Sequence, residues 1–404
     1  SDPQGEWYIY DPYDQAFSSK YSLGLDTLLT KATVDKQIDF SPRVGISFPI
    51  TVNSKLYFNY GHFRQLPTPE NLFLLRRFSD NNAVTRIADP NNPLPKTVAY
   101  ELGYEHNLFD EFLFKVAGYY KDVSLQSRLV TYVSRDNSVS YDRSEPNSYQ
   151  DVRGFELQIT KNRGDWVQGF LNYTYEVRSS GNFGYGTYYE SLSLQKNYEA
   201  TTQDNFQVKP IPRPYANANI DFFTPEDYGP QLGSLYLLGD WRFSFVGQWT
   251  SGYYFTWVGG GSIPGIVNNA QWNDLWNVNL RVSKTFRFMG VDLQLFADIT
   301  NLFDYKYMTQ YGFVDANDYL AYMKSLHLPD DVFDEKFGYI NIPGDDRPGD
   351  YRKGPYIPWD ENAPESQKEE WRENKSYIDM PNQEFFSFLN PRDIYWGLKF
   401  TVDL

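Results

Sequence analysis

No cysteine occurs in the 404 residues, which excludes a disulfide framework, a zinc–thiolate site, an iron–sulfur cluster and a thiol nucleophile. Histidine is scarce too: His62, His106 and His327 are too few and too scattered for a His-based metal centre. No run approaches the roughly 18 apolar residues that a membrane-spanning helix needs. Basic side chains are outnumbered, 37 Lys and Arg against 52 Asp and Glu, for a net charge of −15. That balance argues against a nucleic-acid partner, which selects a basic face, and reads as a solvated, self-repelling surface. Nucleophile elbow, phosphate loop and metalloprotease helix motif are all missing. Carboxylate pairs do occur, as at Asp330-Asp331, Asp334-Glu335 and Asp345-Asp346, but so acidic a chain produces such pairs by chance. An enzyme is therefore not expected.

Aromatic residues are abundant: 18% of the chain, with 34 Tyr and 10 Trp. The most informative stretch is the last. From Arg392 to Leu404, Ile394, Trp396, Leu398, Phe400, Val402 and Leu404 share one parity, and Asp393, Tyr395, Gly397, Lys399, Thr401 and Asp403 the other. Side chains alternate faces along a strand, so this is a strand with one apolar and one polar face. Its length matches the ~9–11 residues with which a tilted strand crosses a bilayer. The same code governs Val291–Ile299 and Trp276–Phe288, although Lys284 falls on the apolar parity of the latter.

In chain order, residues 1–38 read as a long loop with a short strand near Leu25–Val34. Strands follow at Asp39–Pro49, Lys55–Phe63, Pro95–Asn107, Phe112–Gln126, Gln150–Lys161, Asp165–Arg178, Pro212–Phe223, Asp240–Tyr254, Trp276–Phe288, Val291–Ile299 and Arg392–Leu404. Their connections alternate between tight turns and long loops (64–94, 127–149, 179–211, 255–273 and 303–391), with a medium turn at 224–239. Outer-membrane barrels sort their loops in this way, short turns on the periplasmic rim and long loops outside. The fold class is all-β: a transmembrane antiparallel β-barrel, of which this chain supplies about 11 strands. Bacterial barrels have even strand numbers, and an open sheet leaves two edges in lipid. Either the strand near 25–34 makes a twelfth and permits a small barrel, or further strands complete one of about 22, the number of plugged outer-membrane transporters. The start at Ser1 reads as cut or incomplete.

Several stretches carry a family likeness. Phe40-Ser-Pro-Arg-Val-Gly-Ile-Ser-Phe-Pro49, Lys55-Leu-Tyr-Phe-Asn-Tyr-Gly61 and Phe63-Arg-Gln-Leu-Pro67 resemble the C-terminal barrel half of TonB-dependent outer-membrane receptors. The likeness is to the Bacteroidetes-like variant with a carboxypeptidase-regulatory-like N-terminal domain. Tyr100-Glu-Leu-Gly103, Tyr119-Tyr-Lys-Asp122, Arg153-Gly-Phe-Glu156, Asn301-Leu-Phe303 and Gly397-Leu-Lys-Phe400 extend it to the C-terminal end. The resemblance implies residence in the outer membrane of a Gram-negative bacterium, long loops outside and C-terminus in the periplasm. It implies a plug and remaining strands supplied from outside these residues, and an inner-membrane energy-coupling complex (TonB) acting through the missing N-terminal part. Function would be uptake of a scarce ligand such as a siderophore, glycan or peptide. Alternatives are a passive porin and a structural barrel that anchors a larger envelope assembly. A surface lipoprotein is a further candidate partner. Leu404 departs from the terminal aromatic usual in such barrels; Phe400 and Trp396 lie on its face.

Candidate ligand-binding residues are the loop aromatics Tyr185, Tyr188, Tyr189, Phe255, Trp257 and Trp272, whose flat faces could stack on sugars or siderophore rings. The competing reading places them, and Tyr253 and Tyr254, in the interfacial aromatic girdle. No cofactor is required by this reading. Asp345, Asp346 and Asp350 form a candidate calcium site, since hard cations take oxygen ligands, although the spacing is not that of an EF-hand and a solvated turn is the simpler account. Asp315 or Asn317 should cap a helix over Asp318–Leu326, and Pro364 should open another running to Asn374. Arg281, Arg287, Asp292, Asp298, Lys399 and Asp403 should face the barrel interior.

Overall fold

The computed structural model describes residues 8–10, 31–34, 36–77, 84–202, 210–233, 235–260, 266–288, 291–308, 312–329, 341–380 and 390–402. Eleven long strands build one wall: β1 (Arg43–Thr51), β2 (Ser54–Arg64), β3 (Lys96–Leu108), β4 (Phe112–Val133), β5 (Ser140–Lys161), β6 (Val167–Asn182), β7 (Tyr215–Phe223), β8 (Trp241–Thr250), β9 (Leu275–Phe288), β10 (Val291–Thr300) and β11 (Asp393–Val402). Each pairs antiparallel with its sequence neighbour, and β1 and β11 lie at the two ends of the path. Among the described residues four helices stand in the connections: α1 (Pro69–Phe73), α2 (Leu192–Thr201), α3 (Ala316–Ser325) and α4 (Glu365–Asn374). None is long and apolar enough to cross a membrane.

Register turns the sequence parity into two continuous surfaces. Phe48, Leu56, Tyr104, Val116, Leu157, Tyr173, Ala216, Trp249 and Trp276 lie opposite one another from β1 to β9. Phe222, Phe243, Val282, Ala297 and Trp396 continue that face to β11. These side chains form no buried core. On β11, Ile394, Trp396, Leu398, Phe400 and Val402 are all more than half exposed. An apolar belt open to the surroundings is what a lipid-facing wall requires, because strands cross a bilayer with alternate residues in contact with acyl chains. Leu404 and Asp403 lie outside the described residues.

The polar face carries Tyr57, Asn59, Glu101, Tyr119, Glu156, Thr174 and Glu176 at the other parity. Arg281 pairs with Asp298 at 3.4 Å and Arg287 with Asp292 at 3.7 Å, so these four interior candidates share one face.

One expectation needs correction. The segment 127–149 is largely strand: β4 and β5 continue to a tip at 134–139. The sequence hides this because Leu125, at φ +59°, and two register shifts between Val123 and Arg128 break the alternation there. Within residues 1–38 the short strand expected near Leu25–Val34 falls at Lys31–Thr33, where it pairs with Tyr8–Tyr10. The two helices expected within 303–391 are present. Asp315 caps α3 by accepting from the backbone N–H of Asn317 and Asp318 at 2.7 and 2.9 Å. Pro364 stands one residue before α4, at its N-cap.

Candidate functional site

The described parts of two long connections are themselves folded. Loop 251–274 and insertion 301–392 share a core of Trp257, Ala270, Trp272, Met308, Tyr322, Met323, Leu326, Leu328, Tyr377, Ile378 and Met380. Hydrophobic burial of this extent gives a solid cap on one rim of the wall. Asn301 fastens its base. At φ +48°, tolerated by Asn, its side-chain amide donates to the carbonyls of Tyr305 and Asn390 at 3.1 and 2.6 Å, and its Oδ1 accepts from Tyr305 N–H at 2.9 Å. Both ends of the insertion are thus tied to one residue. Tyr305 stacks on Trp276 of β9 at 4.5 Å, which fixes the cap to the wall.

The aromatic candidates separate into two groups. Trp257 and Trp272 are 3% exposed, inside the cap core. Phe255 and Tyr253 pack against them, with Tyr253 and Trp272 stacked at 5.4 Å. Their faces are taken by protein, so they serve the cap rather than an open ligand surface or an interfacial girdle. Tyr185, Tyr188 and Tyr189 do come together. The strand Thr187–Tyr189 adds in parallel to the tip of β4, and Tyr188 stacks on Tyr132, which stacks on Tyr141, at 5.6 and 5.5 Å. Tyr185 and Tyr189 each meet Tyr198 of α2 edge-on. Tyr188 keeps 37% of its surface exposed, and Phe183 beside it 67%.

The three candidate calcium ligands converge, but on an ammonium. Lys375 Nζ reaches Asp345 at 3.5 Å, Asp350 at 3.4 Å, and hydrogen-bonds Asp346. Asp346 is fully buried, and its other oxygen accepts from His327 N–H at 2.8 Å and Tyr377 O–H at 2.7 Å. A positive charge already stands where the cation would, so the residues do not fit a calcium site as arranged. Burial alone would pull Lys375 down, yet Asp346 and its two neighbours outweigh it and raise its pKa above the ordinary value. The Tyr377 phenol is pushed up by burial and then by Asp346. His327 stacks on Tyr377 at 3.9 Å and meets Trp359 edge-on at 4.4 Å; burial holds its imidazole below the usual value, against the pull of Asp346. Lys375 had no signal in the sequence, because it lies 25 residues and more beyond the carboxylates it joins.

On the polar face near β1, a concavity of 730 Å³ is lined by Arg43, Asn59, Glu101, Tyr119, Lys121 and Glu156 among others. Tyr57 O–H donates to Glu101 at 3.1 Å and Asn59 to its other oxygen at 3.2 Å. Tyr119 O–H donates to Glu176 at 3.0 Å. The Tyr57 ring lies across Gly103, where a Cβ would come within 2.2 Å of it, so the Tyr-Glu-Leu-Gly segment supplies both the carboxylate and the room for its donor. Among the described residues Glu156 has no ion-pair partner, and its charge faces the concavity. Carboxylates in this arrangement are oriented by phenols.

A family model described as TonB dependent receptor-like, beta-barrel matches residues 8–302, more than half of the chain. No curated protein matches. Among solved structures, the outer membrane transporter YddB from Escherichia coli aligns with a TM-score of 0.43 at 11% identity, covering 70% of this chain and 38% of that one. The siderophore receptor PirA from Pseudomonas aeruginosa aligns at 0.39 and 12%, covering 66% and 39%. The copper transporter OprC aligns at 0.39 and 15%, covering 66% and 34%. The chain thus spans little more than a third of the length of these structures.

Proposed function

The chain belongs to the family of TonB-dependent receptor β-barrels, and we propose that it forms part of the wall and the outer cap of an energy-coupled importer in the outer membrane of a Gram-negative bacterium. The observation that carries this is the two-faced wall: one apolar file across eleven strands and a charged file behind it, with a folded cap on one rim. In hydrocarbon every backbone polar group needs a partner, so the outer edges of β1 and β11 require further strands; with them the barrel reaches about the 22 strands of plugged transporters. The capped rim faces outward and the short-turn rim faces the periplasm, which puts the C-terminal end of β11 on the periplasmic side. The polar face, with Glu101, Glu156 and Glu176, meets a plug supplied from outside these residues, and the inner-membrane coupling complex moves that plug.

The protein's work is then capture and admission of a ligand too large to diffuse through a porin: a siderophore, a glycan or a peptide. Tyr185, Tyr188 and Tyr189 are the surface on which flat or ring-shaped groups would stack. The test is growth of a strain lacking the gene on a panel of ferric siderophores, glycans, peptides and cobalamin supplied as the sole source. Loss of growth on one member, reproduced by inactivating the coupling complex, supports the reading. Loss that the coupling complex does not reproduce shows a passive channel. Full growth on every member, with an envelope defect, shows a structural anchor.

A further inference from the structure

Two exceptions to the wall's regularity meet in one place. Lys284 is a cation on the apolar file of β9, between Phe286 and Val282 and opposite Leu295. The connection 224–240 is long where other turns on that rim, 52–53, 109–111 and 162–166, are tight. The structure joins them. Lys284 is 6% exposed, and its Nζ donates to the carbonyl of Tyr236 at 2.9 Å and to that of Gly239. Trp241, also on the apolar file, donates its indole N–H to the Leu237 carbonyl at 3.1 Å. Both donors belong to the outer face, so the turn is folded back over the outside of the wall.

The turn sorts its own side chains by face. Glu226 and Asp240 reach Arg287 on the polar side at 2.6 and 2.8 Å. Leu232, Leu237, Leu238 and Tyr228 are left 43–68% exposed. The indole of Trp241 stacks on Phe243, the next member of the apolar belt.

We propose that residues 228–233 and 235–241 are an interfacial anchor that lies in the headgroup and upper acyl region of the adjoining phospholipid leaflet, with Lys284 as the clamp that holds it against the wall. Exposed leucines continuous with a lipid-facing belt, with the acids turned to the other side, are the arrangement that partitions into that zone. Carbonyls from the turn surround an ammonium that would otherwise face acyl chains, which explains how the belt tolerates a lysine.

This rests on the wall standing in a membrane, so the experiment separates the two ideas. These 404 residues contain no cysteine, so once any cysteine elsewhere in the receptor is replaced by serine, each single-cysteine variant reports one position. Leu237→Cys, Leu398→Cys in the belt of β11 and Leu192→Cys on the capped rim are placed in the intact receptor. They are labelled with a nitroxide and reconstituted in phosphatidylethanolamine–phosphatidylglycerol vesicles. Collision with a water-soluble nickel chelate should fall about threefold or more at Leu237→Cys and Leu398→Cys relative to Leu192→Cys, as for a site below the headgroups. Protection at Leu398→Cys with full access at Leu237→Cys overturns the anchor and leaves the barrel. Full access at both overturns the barrel reading and the anchor with it. Adding Lys284→Met to Leu237→Cys should raise label mobility as the turn is released; unchanged mobility overturns the clamp.

Discussion

Asp346 has no exposed surface, and a buried carboxylate is tolerated only when its charge is met and its lone pairs are used. Lys375, Tyr377 O–H and His327 N–H meet both conditions. Truncating one partner of such a pair leaves an uncompensated charge, so Lys375→Met should destabilise the cap by about 3 kcal/mol, the lower end of the range for buried pairs because Lys375 is itself 27% exposed. Thermal unfolding followed by fluorescence of Trp257, Trp272, Trp359 and Trp371 reads this directly. Calcium or a chelator should leave the native cap's transition in place, whereas calcium should raise that of Lys375→Met, whose three carboxylates would have lost their cation. A native cap that melts earlier on chelation would show that a metal holds it after all. His327 gives a pH dependence. Burial lowers its folded value below the unfolded 6.5, so its neutral form favours folding; that stability is complete above 6.5 and is lost as pH falls through 6.5 toward the folded value. The cap should melt at lower temperature at acid pH than at neutral pH, and His327→Phe should flatten that difference.

At the scale of the strand, what matters is which face a residue takes. Leu398 lies opposite Leu295 on the apolar side, and Gln294 opposite Lys399 on the polar side. A charge in the lipid belt costs about 2–4 kcal/mol at mid-depth, whereas a polar-face exchange stays within ~0.5. Leu398→Arg should therefore shift the unfolding transition of the reconstituted barrel strongly, and Gln294→Glu, next to a lysine, hardly at all; equal effects would contradict the assignment of faces. This part of the fold was legible because parity needs only local sequence. Where β4 runs on past its parity pattern, a left-handed residue at Leu125 and the register shifts beside it defeat a two-residue period. The cap was legible only in its helices, whose signals, Asp315 and Pro364, are local as well. Its core was not, since Trp257 and Met380 come together through a fold that no period announces, and loop aromatics look alike whether they cover a core or await a ligand.

For the molecule as a whole the open question is what fills the space behind the polar face. That face pairs some of its charges internally, as Glu105 does with Lys55 and Lys115 at 2.9 and 3.2 Å, but leaves Glu156 facing a concavity. An acidic wall with unmet carboxylates raises the local concentration of cations wherever water has access to it. On the proposed reading the intact protein, purified from outer membranes and inserted into a planar bilayer, should nevertheless pass no steady current, because the proposed plug would remove the water path. A porin built with the same wall would give a stable conductance that favours cations, and substituting Glu156→Gln would reduce that preference. Silence under an applied potential and a cation-selective current are thus opposite outcomes of the same wall chemistry. What decides between them is whether the barrel interior is occupied.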